Sequence, residues 1–549
     1  MPSEQKFSKK LFLIADDSDA FRSSIKVMLH RLGIKSIDTA CVGREAVLLY
    51  KQKCHDVVMM DYNFGRGTTG QQILSEMVEK NILKRTSIFL MVTAEVERGA
   101  VMSTLEYRPD DYIAKPFTFS ELSRRLEKAV KYHGVFSHIY SAMDRKQFDR
   151  ALEFCEENIR TGCSYKPKCL RLKADVLSKM KRFTEARAVY QASIDEFPQS
   201  ASYLGLGEAC FKLKQFDEAI DAFGHLKDNE ALRGEAFDWI ARAHEEMGQY
   251  IAAEAALTHS VTASPRTLRY QKRLAALSHQ NDNLEKATQA YKQTIKLSKH
   301  TEHDVPENQL KLADCLSDWS DSLAGSKNQV RESNNLAHES VNILTSVNQS
   351  NKTEDTLLLK SNLVLTRAYT TLKNKPAAKQ ALSESLRLKE LVDDSDPEIL
   401  LAFIKTYSKT DPAKVEGAIA DFLVTHQGDE EAIEQLERLT GEPVTDRGKD
   451  IVKELNQKGK KLFSDGLFGP ATEEFDKALS LYPKHISLNL NMVQALLELL
   501  KQTHDEYGWA KKCQSCLDAA SVVQESHPEF GRFQHLKRQF AEIPKFGIE

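Results

Sequence analysis

Short apolar runs alternate with amphipathic stretches over residues 10–133 of the chain. The strand-like runs cover residues 11–15, 36–40, 56–61, 87–93 and 111–114, and segments with helical spacing lie between them. Five such alternations are typical of right-handed βα units in a parallel, doubly wound sheet. The pattern therefore predicts an α/β domain over residues 1–133, with its chemistry at the carboxyl ends of the strands.

After residue 133 the strand-like runs vanish, and Ala, Leu, Glu and Lys recur at helical spacing. A helix pair with a small residue on each helix repeats, and its anchors Ala186, Ala219, Ala253 and Ala287 are 33, 34 and 34 residues apart. This spacing is the tetratricopeptide period. Small anchors let two helices approach closely, while a large residue fills the gap to the next pair. We therefore predict tetratricopeptide-like repeats over residues 134–300.

The repeat pattern weakens and then returns further along the chain. Matching positions are Gly459, Ala471, Phe475, Ala478 and Pro483, with a weaker set at Thr366, Tyr369, Ala378 and Leu382. Residues 301–449 otherwise carry helical patterns without the anchors, which indicates either divergent helix pairs or longer loops between repeats. Residues 450–549 are predicted to form tetratricopeptide-like helices again, so everything after the α/β domain is expected to be all-α.

The composition narrows the class of protein. Apolar residues at 41% and charged residues at 28% match a soluble globular chain, and no apolar stretch reaches the about 20 residues that span a bilayer. A net charge of -3 provides no basic field for binding nucleic acid. The polar N-terminus has no apolar signal core, and nine scattered cysteines make no disulfide framework. A cytoplasmic protein without a membrane span is expected.

Chemically competent residues stand where the predicted strands end. Asp16 and Asp17 follow the first strand, Asp61 closes the third, Thr93 closes the fourth and Lys115 follows the fifth. Because the carboxyl ends of parallel strands meet at one edge of a sheet, we expect these residues to converge. Phosphoryl transfer to a carboxylate requires a nucleophilic Asp, a divalent cation, and a hydroxyl and an ammonium that hold the phosphate oxygens.

The sequence supplies each of these parts. Asp61 is the predicted nucleophile, while Asp16 and Asp17 would hold Mg²⁺ and Asn63 would donate a backbone carbonyl to the same ion. Taken singly, each residue has an ordinary structural explanation, such as a helix cap or a surface charge. The combination in this order, on five alternating strands, favours a phosphoacceptor site instead.

Five short motifs resemble the receiver domains of bacterial two-component response regulators. They are Ala15-Asp16-Asp17-Ser18, Asp61-Tyr62-Asn63, Gly70, Thr93-Ala94 and Lys115-Pro116-Phe117. The resemblance implies a flavodoxin-like fold and phosphorylation of Asp61 by a sensor histidine kinase or a phosphotransfer domain. It also implies that Asp17 and Asp61 are direct Mg²⁺ ligands, that Asp16 acts mainly through water, and that Thr93 and Tyr112 form a switch pair.

One loop departs from the receiver family. The family usually has a proline soon after the acceptor, whereas residues 64–70 of this chain are glycine-rich and one residue longer. We therefore expect the acceptor to be intact but the loop to differ in conformation. A cis peptide bond is expected before Pro116.

The helical repeats suggest an output that acts on a protein. Stacked helix pairs form a solenoid whose concave face binds peptides or protein surfaces, so the partner there is expected to be a protein and not nucleic acid. The combination of receiver and tetratricopeptide repeats resembles the VieB type of regulator. That resemblance implies interception of phosphoryl transfer from a sensor kinase.

The expected function is that of a response regulator, a signalling protein whose own catalysis is limited to Mg²⁺-dependent phosphorylation and dephosphorylation at Asp61. A phosphate sink or inhibitor that competes for a sensor kinase is one alternative, and a phosphorylation-independent scaffold is another. A transcription factor conflicts with the charge and the repeats. Whether two copies form a homodimer is left open. The pair Cys513 and Cys516 has the spacing of a zinc half-site, but without a second pair it is interpreted as buried thiols.

Overall fold

The computed structural model describes residues 7–64, 69–94, 109–162, 164–299, 303–324, 328–349, 354–392, 395–502, 508–522 and 528–542. The chain divides into two compact units after Asn308. The first unit contains an α/β domain followed by helices. The described part of the second unit contains helices joined by turns.

Five parallel strands form one sheet in the first unit, in the order β2-β1-β3-β4-β5. The strands are β1 Leu11–Ala15, β2 Ser36–Ala40, β3 Val57–Asp61, β4 Ile88–Ala94 and β5 Asp111–Lys115. The helices of this domain within the described residues are α1 Asp19–Arg31, α2 Gly43–Lys53, α3 Gly70–Glu79 and α4 Phe119–Asp144. The strand order is that of flavodoxin-like folds, which confirms the predicted doubly wound sheet.

Strand β1 contributes to a core on each face of the sheet, because successive side chains of a strand point to opposite faces. Phe12 and Ile14 pack on the face that α1 and α4 cover, and Leu13 and Ala15 pack on the face that α2 and α3 cover. All four side chains are at most 1% exposed. Burial on both faces explains why the strands appear in the sequence as continuous apolar runs.

The remaining helices of the first unit pack as consecutive pairs. They are α5 Phe148–Arg160, α6 Lys166–Lys179, α7 Phe183–Glu196, α8 Ser200–Lys212, α9 Phe216–Gly224, α10 Arg233–Glu246, α11 Tyr250–Ala263, α12 Leu268–Gln280 and α13 Leu284–Ser298. The pairs α6–α7, α8–α9, α10–α11 and α12–α13 carry the predicted anchor alanines on their second helices. The predicted helix-pair repeats are therefore confirmed.

A shared backbone turn joins the two helices of each pair. The turn residue has a left-handed conformation at Lys146, Lys181, Lys214, Gly248 and Asp282, with φ between 57° and 73°. The following residue then donates its N–H to a carbonyl five residues back, as Gln215 does to Cys210 at 2.9 Å. This bond closes the first helix of the pair. The same turn occurs in the second unit at Lys373 and Gly466.

Helix α4 belongs to both the sheet domain and the repeats. Its first half packs on the sheet through Leu122 and Leu126, and its second half packs on α5 through Phe136 and Ile139. The repeat turn follows directly after its end, so the second half of α4 takes the place of the first helix of a pair. The domain boundary predicted at residue 133 lies within this helix, which means that a helix and not a loop joins the two regions.

The glycines at the anchor positions allow close approach between helices. A Cβ atom on Gly207 would lie 2.5 Å from the ring of Phe223, and one on Gly459 would lie 2.4 Å from the ring of Phe475. Both rings are at most 1% exposed. A side chain at either glycine would displace a buried aromatic ring, which is the physical reason for the small residue.

The second unit continues with helix pairs. Its helices are α14 Pro306–Ala324, α15 Val330–Asn348, α16 Asp355–Thr371, α17 Lys375–Lys389, α18 Pro397–Thr410, α19 Val415–Thr425, α20 Glu430–Thr440, α21 Asp446–Ser464, α22 Phe468–Leu481, α23 Ile486–Gln502, α24 Trp509–Ala519 and α25 Phe530–Glu542, with short 3₁₀ helices at Pro412–Lys414 and Ala520–Val522. The described parts of residues 301–449 are helices, which favours the first of the two predicted alternatives, divergent helix pairs. Within the described ranges, no helix combines the length and apolar character of a membrane span.

Candidate functional site

Three carboxylates converge at the carboxyl edge of the sheet. Asp61 ends β3, which pairs with β1, and Asp16 and Asp17 follow the end of β1. Carboxylate oxygens of the three residues lie within 4.8 Å of one another. Asp61 is 7% exposed and Asp16 is 1% exposed, whereas Asp17 faces solvent. Parallel strand pairing therefore brings together the three carboxylates that the sequence singles out.

Lys115 joins two of these carboxylates from the end of β5. Its Nζ lies 2.9 Å from Oδ2 of Asp61 and 2.7 Å from Oδ2 of Asp16. The Lys115–Pro116 peptide bond is cis, as expected from the sequence. The ammonium is thus already at the acceptor, where it can contact a phosphoryl oxygen bonded to Asp61.

The loop after β1 holds Asp16 in a fixed position. The Asp16 carboxylate accepts a hydrogen bond from the Ser18 N–H at 2.9 Å, and Arg22 donates to the Asp16 backbone carbonyl at 2.6 Å. The Ser18 hydroxyl in turn accepts from the Phe21 N–H and caps α1. Ser18 therefore both caps α1 and holds the Asp16 carboxylate in place.

Phe21 is a neighbour of the site that sequence reasoning missed. The Nζ atom of Lys115 lies 4.3 Å from the centre of the Phe21 ring, and that ring meets Phe117 edge-on at 5.7 Å. A cation above an aromatic face is stabilised by the ring quadrupole, so Phe21 helps to position the ammonium. The sequence signal that could have identified Phe21 is an aromatic residue in the first turn of the helix that follows Asp16 and Asp17.

The electrostatics of the cluster favour an additional cation. Burial raises the pKa of Asp61 above its usual range and repulsion from Asp16 adds to this, while the hydrogen bond and charge of Lys115 act in the opposite direction. Within the described ranges, the cluster has three carboxylates and one ammonium, which is bonded to two of them, so negative charge is in excess. Carboxylate oxygens are hard ligands of the kind that Mg²⁺ prefers, and Asp16, Asp17 and Asp61 therefore fit that ion.

Thr93, Tyr112 and Asn63 lie around the acceptor. Thr93 is fully buried in β4, one residue beyond Val92, which pairs with Asp61. Tyr112 lies on β5 and packs its half-buried ring against the core that α2 and α3 cover. Asn63 is exposed, and its backbone N–H is hydrogen-bonded to the Asp61 carboxylate. The switch role of Thr93 and Tyr112 and the metal-binding carbonyl of Asn63 stay predictions.

The glycine-rich loop after the acceptor is partly outside the described residues, since the structure describes its ends but not residues 65–68. At the far end, Gly70 donates its N–H to the Tyr62 carbonyl at 2.8 Å. A Cβ atom on Gly70 would lie 2.0 Å from the carbonyl oxygen of Asp61. The backbone thus passes so close to the acceptor that only glycine fits there.

The residues that precede Tyr112 are bonded to helix α4. Arg125 donates through Nη1 to both carboxylate oxygens of Asp111 at 2.9 Å, and Nε2 of His133 lies 2.9 Å from Oδ1 of Asp110. Charge-assisted bonds of this kind hold groups in a defined geometry. The strand that carries the predicted switch tyrosine is therefore tied to the helix that continues into the repeats.

A second contact joins the end of α4 to the loop before β4. The Asp144 carboxylate accepts hydrogen bonds from the backbone N–H groups of Arg85 and Thr86 at 2.8 and 3.0 Å, and from the Thr86 hydroxyl at 2.8 Å. The last turn of α4 is thus held against the sheet domain although it packs on α5.

The pair Cys513 and Cys516 lies on α24, and both thiols are free and buried, as predicted. Burial raises the pKa of Cys513 to about 12 and that of Cys516 to about 11. They are therefore protonated at neutral pH and packed among apolar side chains. Thiols in this state are neither reactive nor ready to bind a metal.

Comparison with known proteins bears on both regions. Residues 12–127 match the response regulator receiver domain, and residues 171–225 match a tetratricopeptide repeat. The chemotaxis protein CheY-3 of Vibrio cholerae is 32% identical over 116 residues, which cover 21% of this chain and 88% of the relative. The chemotaxis protein CheY of Pseudomonas aeruginosa is also 32% identical over 116 residues, covering 21% of this chain and 92% of the relative.

Two solved tetratricopeptide structures illustrate the likeness of the helical part. The C-terminal part of a repeat protein from Cytophaga hutchinsonii has a TM-score of 0.37 at 13% identity and covers 47% of this chain and 97% of that structure. A repeat protein from Parabacteroides merdae has a TM-score of 0.29 at 12% identity and covers 46% of this chain and 98% of that structure. The helix pairs and the shared left-handed turns of this chain identify the repeats independently of these structures.

Proposed function

The chain belongs to the response regulator receiver family through its N-terminal domain, and from this premise we propose that it is a two-component regulator phosphorylated on Asp61. The observation that carries the proposal is the buried Asp61 carboxylate beside Asp16, Asp17 and the ammonium of Lys115. The phosphoryl donor is a sensor histidine kinase or a phosphotransfer domain, and the place of action is the cytoplasm.

In the proposed reaction, a carboxylate oxygen of Asp61 attacks the phosphorus atom while the bond from phosphorus to the donor breaks. Asp16, Asp17 and Asp61 would hold Mg²⁺, which would neutralise the phosphoryl charge when bound. Lys115 starts bonded to Asp61 and transfers its hydrogen bond to a phosphoryl oxygen. The Thr93 hydroxyl donates to another oxygen of the acyl phosphate.

The proposed output is control of protein binding by the helical repeats. The new phosphoryl oxygens recruit Thr93, and the space that it leaves lets Tyr112 turn inwards. Asp110 and Asp111 precede Tyr112 and are bonded to α4, so a movement of β5 reaches the first helix pair through that helix. The change shifts populations between two arrangements of the same fold.

Labelling by acetyl phosphate in the presence of Mg²⁺ tests the proposed phosphorylation of Asp61. We expect wild type to take up a base-labile phosphoryl group and Asp61→Asn to take up none, because the amide cannot form the acyl phosphate. Asp19→Asn is the matched control, since Asp19 lies on the exposed start of α1 and is paired with Arg22. Undiminished labelling of Asp61→Asn would refute the assignment of the acceptor.

Hydrogen exchange tests whether phosphorylation of the receiver domain changes the helical repeats. Beryllofluoride with Mg²⁺ should change the exchange rates of amides in residues 134–160 by roughly 5-fold or more, the low end of ordinary coupling energies. Amides of α22 in the C-terminal repeats serve as the distant control. Labelling without any change in residues 134–160 would instead support a phosphate sink that competes for a sensor kinase.

A further inference from the structure

Three cations and two tyrosines lie together at the amino edge of the sheet, opposite the phosphoacceptor. Arg85 precedes β4, Lys168 and Arg171 lie on α6, and Tyr132 and Tyr140 lie on α4. We call these five residues the amino-edge cluster. They come from the sheet domain, from the helix that continues into the repeats and from the first helix of the next pair, and all belong to the first compact unit.

The electrostatics place these side chains close to one another. Burial lowers the pKa of Lys168 to about 8, and repulsion from Arg171 and Arg85 adds to this. Burial raises the pKa of the Tyr140 hydroxyl above its ordinary value, while the charges of the same two arginines act to lower it. Arg171 acts in the same direction on the hydroxyl of Tyr132. The ammonium, the guanidinium groups and the two hydroxyls therefore share one region.

The carboxylates of this region are bonded to other groups. Asp110 accepts a hydrogen bond from a backbone N–H at 2.8 Å and is bonded to His133 at 2.9 Å. Asp175 accepts from a tyrosine hydroxyl at 2.7 Å, and Asp144 accepts from two backbone N–H groups. Within the described part of the chain, none of these three carboxylates forms an ion pair with a cation of the amino-edge cluster.

The cluster also offers hydrogen-bond donors that have no acceptor in the chain. Tyr140 is only 6% exposed, yet among the residues that the structure describes neither its hydroxyl nor that of Tyr132 has a partner. The same holds, over those residues, for the half-buried side chains of Lys168 and Arg171. Buried polar groups are nearly always hydrogen-bonded, so these donors suit an acceptor from outside the chain.

Aromatic packing fixes the two hydroxyls in advance. The Tyr132 ring meets Phe136 at 5.2 Å and Tyr165 at 5.4 Å, in both cases edge-on. The Tyr140 ring lies 5.4 Å from that of His133. Side chains that are already held by packing lose little conformational entropy when a ligand binds. The cluster is therefore preorganised on its α4 side.

The arrangement of donors favours phosphate over carboxylate. The donors come from three separate elements, namely α4, α6 and the loop before β4. The two oxygens of a carboxylate lie in one plane and match a single arginine fork. A tetrahedral phosphate presents oxygens in several directions, so it can accept from Arg171, from Lys168 and from the hydroxyls at the same time.

We propose that the amino-edge cluster binds phosphate, either as the free ion or as the phosphate group of a small molecule. Arg171 and Lys168 bind it from α6, the hydroxyls of Tyr132 and Tyr140 donate to it from α4, and Arg85 adds positive charge on the solvent side. The bound group would connect the sheet domain to the first helix pairs. Because the cluster and the phosphoacceptor lie at opposite ends of the strands, this site is separate from phosphoryl transfer and does not depend on it.

Equilibrium dialysis of inorganic phosphate against the full chain tests the proposal, in EDTA so that no Mg²⁺ is available to the phosphoacceptor. Arg171→Gln should weaken binding by about 10-fold or more, and Tyr140→Phe, which keeps the buried ring, by about 3-fold. Arg160→Gln and Tyr203→Phe are matched controls outside the cluster and should change it less than about 2-fold. The proposal is wrong if wild type binds no phosphate at about 10 mM, or if both cluster variants bind like wild type.

The reactivity of Lys168 shows where phosphate binds. A nearby anion raises the pKa of a lysine, so phosphate should slow acetylation of Lys168 by acetic anhydride about 3-fold or more near pH 8. Lys173, which is paired with Glu156 at 2.8 Å, and the exposed Lys179 are controls on the same helix and should react at unchanged rates. Mass spectrometry of the peptides measures each rate. Equal slowing of all three lysines would place the ion elsewhere and overturn the assignment.

Two further ligands identify the chemistry of the site. Acetate should bind at least about 10-fold more weakly than phosphate, and equal binding would overturn the choice of phosphate. Methyl phosphate separates the two sources: binding as tight as that of inorganic phosphate indicates a phosphorylated small molecule, and binding of inorganic phosphate alone indicates the free ion. Circular dichroism checks the fold of each variant, and Tyr140→Phe still tests the site if Arg171→Gln unfolds.

Discussion

Two groups of three aspartates in this chain differ in the number of cations that accompany them. In the phosphoacceptor cluster, three carboxylates lie together, and within the described ranges the ammonium of Lys115 is bonded to Asp16 and Asp61 but not to Asp17. In a second group, Asp314, Asp318 and Asp321 of α14 face Arg367 of α16 and Lys405 and Lys409 of α18. We call the second group the three-helix network.

The three-helix network is balanced and closely bonded. Arg367 is 3% exposed and donates to Asp318 at 2.7 Å and also to Asp314. Lys405 lies 2.5 Å from Asp318, and Lys409 is bonded to Asp321. Nearby carboxylates raise the pKa of Arg367 although burial alone would lower it. Each aspartate thus has a cation, and the network connects three helices.

The contrast indicates which acidic group has a chemical role. A buried ion pair that is fully matched is consistent with a structural role, because removing either partner leaves an uncompensated charge. An unmatched group keeps a capacity to bind a cation or to take up a proton, and such imbalance is typical of functional sites. Two clusters of three aspartates therefore have different roles, which depend on how many cations pair with them.

The largest effect that would test this contrast is on stability. Replacing Arg367 by Met should lower the free energy of unfolding of the second unit by about 3–5 kcal/mol, because the aspartates of α14 lose a buried partner. Lys115→Met should destabilise the sheet domain less, because the Lys115 side chain is 24% exposed whereas that of Arg367 is 3% exposed, and Mg²⁺ should restore most of the loss. The measurement is urea unfolding with and without Mg²⁺, with hydrogen exchange of α16 and β3 amides assigning each loss to its region.

The effect of Mg²⁺ on the stability of the two variants distinguishes the two acidic groups. Mg²⁺ should stabilise Lys115→Met more than wild type, and it should leave the loss in Arg367→Met unchanged. If Mg²⁺ restored Arg367→Met, or if it failed to restore Lys115→Met, the distinction between an unmatched and a matched acidic group would be wrong.

Much of the sheet domain could be predicted from the sequence, because its signals are local and strong. The five apolar runs predicted each strand to within one residue at either end. The resemblance to receiver domains implied the flavodoxin-like strand order, and Asp16, Asp17 and Asp61 meet because β1 and β3 are neighbours in that order. The anchor glycines and alanines predicted the helix pairs for a similar reason, since close packing requires small residues at fixed spacing.

Other features depend on contacts between distant parts of the chain. The left-handed turns of the repeats are occupied by lysine at Lys146, Lys181 and Lys214, a residue that gives no turn signal. The pairing of Arg367 with α14 joins residues about 50 positions apart. The continuity of α4 through residue 133 was hidden because the amphipathic pattern of a receiver helix and that of a repeat helix have the same period.

A smaller effect is expected from Mg²⁺ on wild type. At a concentration ten times its dissociation constant, the ion should raise the free energy of unfolding of the sheet domain by about 1.4 kcal/mol through mass action. Asp17→Asn should lose this stabilisation, because Asp17 is a proposed direct ligand. Asp19→Asn, two residues away, should keep it. Equal stabilisation of wild type and Asp17→Asn in thermal unfolding would show that Asp17 is not a ligand.

The smallest expected effect is the pH dependence of stability that comes from Asp61. The direction of this dependence follows from the burial of the Asp61 carboxyl group. The pKa of Asp61 is raised in the folded protein, so between the ordinary value of 3.8 and the raised value the folded state holds more protons than the unfolded state. Stability conferred by this group therefore falls as pH rises through that window. The Asn side chain of Asp61→Asn cannot ionise. In EDTA, the variant should therefore be about as stable as wild type near pH 4, and its excess free energy of unfolding over wild type should grow towards pH 7.

Asp38 provides a control of opposite sign on the same sheet. Burial acts to raise the pKa of Asp38, but hydrogen bonds and charge from Lys53 and His55 outweigh it and hold the pKa below its ordinary value. Asp38→Asn should therefore cost stability at pH 7, and that cost should fade as pH falls through the depressed pKa. Urea unfolding of the three proteins from about pH 2 to pH 7 measures both slopes, because the window of Asp38 lies below 3.8 and that of Asp61 lies above it. If the free energies of unfolding of the two variants, relative to wild type, changed with pH in the same direction, the excess negative charge at the acceptor would have no effect on the stability of the domain.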